Sequence, residues 1–356
     1  MTDSTPTQTL RTPGLVDAHI HPDKTSWGRP WQSRRGAATL AELIENDRAT
    51  QTAYDTSVEE RAFSLFSQAL ANGTFGMRAH VDVSSELGIG NVEGVRAAAE
   101  RLAGDLTVQI VAFPQFGLLS NPGTLEAMAA SLQSGADLVG GIDPSGLEGD
   151  LHGHLDAIFG LADRAGRELD IHLHDGGEEG LAQIREIARR TIAGGRQGGV
   201  TIGHAFALCD PTLASLGETL DLVAEAGLWI AVCALGPDPV PDLDRFEAHG
   251  VRAVAGSDGV RDAWSPFGTG SMVDRAHLLA YRTGAMTDEE LERAFRIASI
   301  SGGEMMGLAS VAEWDERSGT RLEFAAENLA QLVVDRPAPL RVLRDGRVLH
   351  DGRVLR

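Results

Sequence analysis

Short apolar, β-branched runs alternate along the chain with stretches whose apolar positions fall three and four residues apart. A run that is apolar throughout reads as a strand covered on both faces, and the three-and-four stripe reads as a helix laid against it. Leu15, Val16 and Ala18 form the first strand and lead into His19 and His21. Further strands are predicted at Phe75–Val83, Thr107–Phe113, Asp137–Ile142, Leu169–Leu173, Val200–Gly203, Leu228–Val232 and Val251–Ala255. Helices are predicted near Leu40–Ala49, Leu125–Ser134, Leu155–Glu168, Gly180–Ala193, Thr212–Ala226 and Thr287–Gly302. A capping box at Ser57–Glu60 opens another, with Phe63, Phe66 and Leu70 on one face and Gly73 as its stop.

Eight strands alternating with helices predict a closed (β/α)8 barrel of the TIM type. An open doubly wound sheet would need a glycine-rich phosphate loop after the first strand, where His19-Ile20-His21 stands instead. The ends of the chain differ in kind. Residues 1–13 are polar and proline-punctuated and read as a lead-in. Leu332–Val334 reads as a strand, and Arg341–Arg356 nearly repeats itself (RVLRDG, RVLHDG, RVLR) with two Asp-Gly hairpin signals. The expected organisation is a lead-in at 1–13, a barrel at 14–310 and a small, antiparallel, sandwich-like β appendage at 311–356 built from the tail. The long connection Ser26–Asp55 carries Trp27, Trp31, Arg29, Arg34 and Arg35. It reads equally as a lid or pocket wall and as a loop packed onto the barrel.

Charge and cysteine content narrow the function. A formal net charge of −20 over 356 residues opposes a nucleic-acid partner. Two cysteines, Cys209 and Cys233, without a CxxC pair exclude a disulfide framework and suit a reducing cytoplasm. No apolar leader and no run long enough to span a membrane is present. The expected partner is a small molecule, and the acidic surface is compatible with a homo-oligomer.

The candidate chemistry lies at strand ends. His19 and His21 share a strand face by their i, i+2 spacing. His172, His204 and Asp258 fall on or just after the C-terminal ends of three other strands, where a barrel keeps its active site. Three imidazoles and a carboxylate around an open position suit zinc or ferrous iron, which would bring a bound water towards neutrality as a nucleophile.

Six stretches in order, GLVDAHIHPDKT, MRAHVDVS, VAFPQFG, DIHLHDGGEEG, IGHAFAL and GSDGVRDAWSPFGTG, resemble the amidohydrolase superfamily and its cytosine-deaminase-like branch from about residue 13 to 307. The resemblance implies that His19, His21, His172 and Asp258 hold one divalent metal, with His204 beside the bound water or the leaving group. The fourth strand has Val139-Gly140-Gly141-Ile142 and no lysine to bridge a second ion. Gln115 matches a residue that recognises the amide edge of a pyrimidine, and Trp264 an aromatic of the pocket wall.

Three departures matter. Asp175 stands where the branch places its acid–base glutamate, with Glu178 as the fallback. Gly259 stands where cytosine deaminase has a second, substrate-contacting aspartate. The chain before His19 is short, so an accessory sandwich must be reduced or come from the tail alone. His174 is read as supporting the ligands or facing substrate, His80 as hydrogen-bonded in the barrel mouth, and Asp143 as reaching the pocket or turning the chain before Pro144. Cys209, His152 and His154 are read as structural.

The expected activity is hydrolytic deamination of a cytosine-like heterocycle, with hydroxide on the metal attacking a ring carbon and Asp175, helped by His204, moving the proton. The alternative is an N-alkylamino-triazine or cyclic-amide hydrolase using the same site. A catalytically silent metal-binding homologue is the third reading.

Overall fold

Two sheets organise the chain in the computed structural model, which describes residues 9–37, 39–308 and 319–352. In chain order the elements begin with β1 (Leu10–Thr12), β2 (Leu15–Ile20), α1 (Leu40–Ala53), α2 (Val58–Ala71), β3 (Thr74–Asp82), α3 (Gly90–Glu100) and β4 (Thr107–Phe113). Next come α4 (Thr124–Gln133), β5 (Leu138–Ile142), α5 (Leu151–Ala165), β6 (Leu169–Leu173), α6 (Gly177–Ala193), β7 (Val200–His204) and α7 (Leu216–Glu225). After these lie β8 (Trp229–Val232), α8 (Leu243–His249), β9 (Arg252–Ala255), α9 (Met272–Thr283), α10 (Asp288–Ile297) and α11 (Ile300–Met305). The tail adds β10 (Thr320–Phe324), α12 (Leu329–Asp335), β11 (Arg341–Arg344) and β12 (Arg347–Asp351).

Strands β2 to β9 lie side by side in sequence order and all run parallel. The ring is joined at β2 and β9 by a parallel bridge between Ile20 and Asp258. There the Asp258 N–H donates to the His19 carbonyl at 2.8 Å and the His21 N–H to the Asp258 carbonyl at 3.3 Å. The expected (β/α)8 barrel is what forms, and the closure that completes it also brings three candidate ligands together.

Inward-facing positions alternate along each strand. Arg78 and His80 on β3, and Asp170 and His172 on β6, therefore enter the interior in two layers. In the lower layer Arg78, 1 % exposed, reaches Asp170 Oδ2 at 3.1 Å and Thr201 Oγ1 at 2.9 Å, with Gln109 Oε1 at 2.9 Å. A buried guanidinium is tolerable because Asp170 neutralises it and its donors find acceptors. The histidines form the layer above.

The second sheet has the order β1-β10-β11-β12 and is antiparallel. The lead-in is therefore not wholly loose, since Leu10–Thr12 pairs with Leu322–Phe324. The appendage is thus built from both ends of the chain rather than from the tail alone. Leu332–Val334 is helical, inside α12, because the Asn328 side chain caps Gln331 N–H and starts a turn there. The boundary at 310/311 and the last repeat unit, residues 353–356, lie outside the described residues.

Besides α12, helices α3, α8 and α9 are not predicted from the sequence. The stretch Thr287–Gly302 divides into α10 and α11 at Ser299, whose backbone leaves the helical region. The Ser26–Asp55 connection packs over the barrel mouth: Trp27, partly buried, packs against the core, while Trp31 remains 64 % exposed. Among the described residues no helix is long and apolar enough to cross a membrane.

Candidate metal centre

At the C-terminal mouth of the barrel, β2 presents His19 and His21 directly follows it, β6 presents His172, β7 ends on His204, and Asp258 follows β9. The His21 and His172 Nε2 atoms are 3.3 Å apart. Asp258 Oδ1 stands 3.3 Å from His21 Nε2 and 4.0 Å from His19 Nε2, and Asp258 Oδ2 stands 4.0 Å from His204 Nε2. Close approach at the axis depends on missing side chains. A Cβ on Gly256 would lie 2.4 Å from His19 Cβ, and one on Gly203 would lie 2.9 Å from His19 Cε1.

The chemistry of these atoms fits a cation. His19, His21 and His172 offer nitrogens that all lie within 4.8 Å of one another. Both ring nitrogens of His19, and Nδ1 of His21 and of His172, are buried without a hydrogen-bond partner among the described residues. Burial, reinforced by Lys24 at His21 and by the crowding of the other imidazoles at His19 and His172, pushes His21 down to about 4 and His19 and His172 well below the usual imidazole range. Neutral, desolvated imidazoles left without hydrogen bonds are paired poorly with anything except a metal. Asp258 stays ionised: burial opposes this, but the hydrogen bond from His21 and the facing histidines outweigh it.

Two other groupings are geometrically possible. One is His19, His80 and Asp170; the other is His19, Cys233 and Asp258. In the first, Asp170 already balances Arg78. In the second, burial pushes the Cys233 thiol well up, so no thiolate is offered.

Strain marks the same rim. Asp143, His204 and Asp258, none of them glycine, have φ of 32°, 67° and 57°. Such positions cost energy and persist where surrounding structure enforces them.

Of the remaining sequence-predicted residues, His80 is fully buried, with its ring centroid 4.0 Å from that of His19 and its Nε2 3.1 Å from Asp170 Oδ1. Gln115 follows β4 and is bonded to Lys24. Trp264 lies with its ring centre 5.8 Å from the Lys24 ammonium. Phe113 stacks on His172 with centroids 4.0 Å apart, linking this wall to the metal layer.

Asp175 is turned elsewhere. Its Oδ2 accepts the Gly146 N–H and the Gln183 amide, both at 2.8 Å, clamping the loop after β5 to α6. Glu178 is exposed and accepts the Ser215 N–H at 3.2 Å. His174 is the group brought to the mouth: its ring centroid is 4.3 Å from that of His204. Its Nδ1 stands 2.8 Å from Asp143 Oδ2, and Asp143 Oδ1 accepts its backbone N–H at 2.6 Å. Burial would lower His174, but the hydrogen bond and charge of Asp143 raise it above the ordinary value. Lys24 stands in the GLVDAHIHPDKT stretch, but the sequence assigns it no role of its own; its place three residues after His21 is the signal available.

The sequence profile of the amidohydrolase family matches residues 8–312. The chain belongs to the amidohydrolase family. Members of this family bind a metal ion, and the cluster above supplies three imidazoles and a carboxylate for one. This amidohydrolase is a hydrolase of carbon–nitrogen bonds other than peptide bonds. It is 30 % identical over 359 residues to the N-isopropylammelide isopropyl amidohydrolase of Pseudomonas sp. strain ADP, covering 97 % of this chain and 87 % of the relative. Among solved structures, N-isopropylammelide isopropylaminohydrolase from Burkholderia multivorans superposes with a TM-score of 0.92 at 36 % identity, over 97 % of this chain and 87 % of that one. The 5-methylcytosine deaminase from Klebsiella pneumoniae liganded with phosphonocytosine shares the fold, with a TM-score of 0.84 at 23 % identity, over 95 % and 86 %.

Proposed function

We propose that this amidohydrolase removes an exocyclic amine from a nitrogen heterocycle by hydrolysis, with an alkylamino-substituted oxo-triazine as the first substrate class. The observation that carries the choice is the full-length likeness, at 30 % and 36 % identity, to enzymes named for N-isopropylammelide. Gly259, lacking the second aspartate expected for cytosine, supports it.

His19, His21, His172 and Asp258 would hold one divalent metal, zinc or ferrous iron. When bound, that ion acidifies a water and polarises the attacked ring position. The proton chemistry then falls to this chain's own side chains. With Nδ1 committed to Asp143, the ring nitrogen His174 keeps for substrate is Nε2. His174 Nε2 takes the proton released as water adds to the ring carbon and delivers it to the nitrogen of the departing amine. Asp143 holds that ring in orientation and stabilises its cationic form, as a buried carboxylate does behind a general base. His204, buried and pushed down to about 3 by burial and by His174, is a neutral partner for the oxygen developing at the attacked carbon. Asp175, read from the sequence as the proton carrier, serves instead to fix the loop that carries Asp143.

The net reaction consumes one water, breaks the exocyclic C–N bond, and yields an oxo ring and an amine. A second reading, release of ammonia from a pyrimidine, is favoured by the fold shared with 5-methylcytosine deaminase. Mass-spectrometric product analysis with metal-loaded protein separates them. Alkylamine from N-alkylamino-oxo-triazines supports the first reading, ammonia from aminopyrimidines the second, and no release from either class overturns both.

A further inference from the structure

Lys24 is among the most deeply buried large side chains of the molecule, at 2 % exposure, and it lies at the catalytic mouth. Its ammonium is 5.6 Å from the centre of Phe113, the ring stacked on His172, and 5.8 Å from that of Trp264. On its other side Asp82 Oδ1 stands at 3.0 Å and Asp47 Oδ2 at 3.7 Å. Burial would lower the lysine, but Asp82, then Asp47 and Asp23, hold it firmly protonated. A buried ammonium fixed in this way has donors and no acceptor.

Lys24 Nζ donates to Gln115 Oε1 at 2.5 Å. A lysine can face only the oxygen end of a carboxamide, so this bond decides the orientation of Gln115. Its NH2 is left over, and it has no hydrogen-bond acceptor among the described residues. Two more donors share the wall. One ammonium proton of Lys24 is uncommitted, because Asp47 lies beyond hydrogen-bond length. The Trp264 indole N–H is buried with no partner among the described residues. Lys24, Gln115 and Trp264 therefore all offer donors, where a glutamine free to turn could offer one of each kind.

We infer that Lys24 sets substrate polarity by locking Gln115, so that the site selects rings presenting oxo groups or a deprotonated ring nitrogen and rejects rings presenting amino groups there. The inference rests on the reading of this mouth as the substrate site and names the class of ring it takes: the anion of an oxo-substituted pyrimidine or triazine. Leaving buried donors unpaired is what would penalise an amino-edged ring: its ring nitrogen can accept from one of them, but its amino groups would face the others donor to donor.

The test is calorimetric binding of two probes of the same size and opposite edges, barbiturate and 2,4,6-triaminopyrimidine, to the metal-loaded full chain. Barbiturate is expected to bind at least about tenfold more tightly, the equivalent of one charge-assisted hydrogen bond. Lys24→Met is expected to erase most of that gap with metal content unchanged, and Gln115→Glu, which puts an acceptor in place of the donor, to shift it towards the triamino ring. Gln115→Leu keeps the test open if Lys24→Met does not fold; it should narrow the gap in the same direction. Equal or tighter binding of triaminopyrimidine, a preference that survives these substitutions, or binding of neither probe overturns the inference. Amine release on the same preparations separates the two failures. Release without edge preference removes the role of Lys24 alone, whereas absence of release removes the proposed reaction.

Discussion

Asp143 holds His174 at two points, its Oδ1 on the backbone N–H at 2.6 Å and its Oδ2 facing the ring Nδ1 at 2.8 Å. A ring gripped in this way keeps one tautomer and one direction, the conditions a proton carrier needs. Asp143→Asn removes the charge and keeps the shape. We expect kcat to fall by about two to four orders of magnitude, with bound metal and KM little changed. Steady-state kinetics with metal analysis on the same samples check this, and a kcat within about threefold of wild type would contradict it.

Asp175 separates from that role. Asp175→Ala removes the acceptor of the Gly146 N–H and of the Gln183 amide. The expected cost is about 1–2 kcal/mol of stability in urea unfolding, with only a modest loss of kcat. Stability retained with kcat lost would return Asp175 to the chemistry.

The barrel was legible because its strands are apolar throughout and its histidines sit at their ends. Periodicity located all eight strands, position at their ends picked out His19, His21, His172, His204 and Asp258, and the resemblance to the amidohydrolase superfamily singled out His19, His21, His172 and Asp258 as the ligand set. What spacing could not show was direction at a strand end, where the backbone leaves the regular pleat. Asp143 takes φ of 32°, and the chain beyond His172 turns the carboxyl of Asp175 onto Gly146 while His174 stays at the mouth. A position three residues after a ligand is the same in both cases; the side chain's destination is set by contacts from other elements. The same limit hid β1, whose strand identity comes from pairing with residues about three hundred positions away. The role of Lys24 is not legible within GLVDAHIHPDKT because a lone lysine in a loop carries no pattern, and its burial depends on α1, β3 and the turn after β4.

Asp262 gives a pH signature away from the histidines. Burial raises its carboxyl to about 7, partly offset by the Ser265 N–H and Lys24, with Asp258 and Asp47 adding to the rise. The folded chain therefore binds this proton more tightly than the unfolded chain, where the ordinary value is 3.8. Stability from this group is full below the unfolded value and is lost as pH rises towards 7. Asp262→Asn keeps the acceptor for the Trp264 and Ser265 N–H groups and does not titrate. The melting temperature of wild type minus that of Asp262→Asn should fall by several degrees between about pH 4 and 7 and level off above. A difference that rises with pH would contradict it.

Below the histidines, Arg78 and Asp170 are buried partners. Asp170→Ala removes the buried counter-ion of the guanidinium and leaves only the half-exposed Glu168 carboxylate, 3.6 Å away, and we expect a loss of about 3 kcal/mol. The double change Arg78→Met with Asp170→Leu should recover most of it. Chemical denaturation of the single and double variants reads the outcome, and a harmless single variant would contradict the buried charge balance.

The most direct measurement is the metal content per chain of the purified protein and of His172→Ala and Asp258→Ala, by elemental analysis after dialysis against trace metal. One divalent ion in the wild type, lost or sharply reduced in both folded variants, is the expected result. A wild type that binds none, or variants that keep a full complement, would contradict a metal centre built from these four side chains.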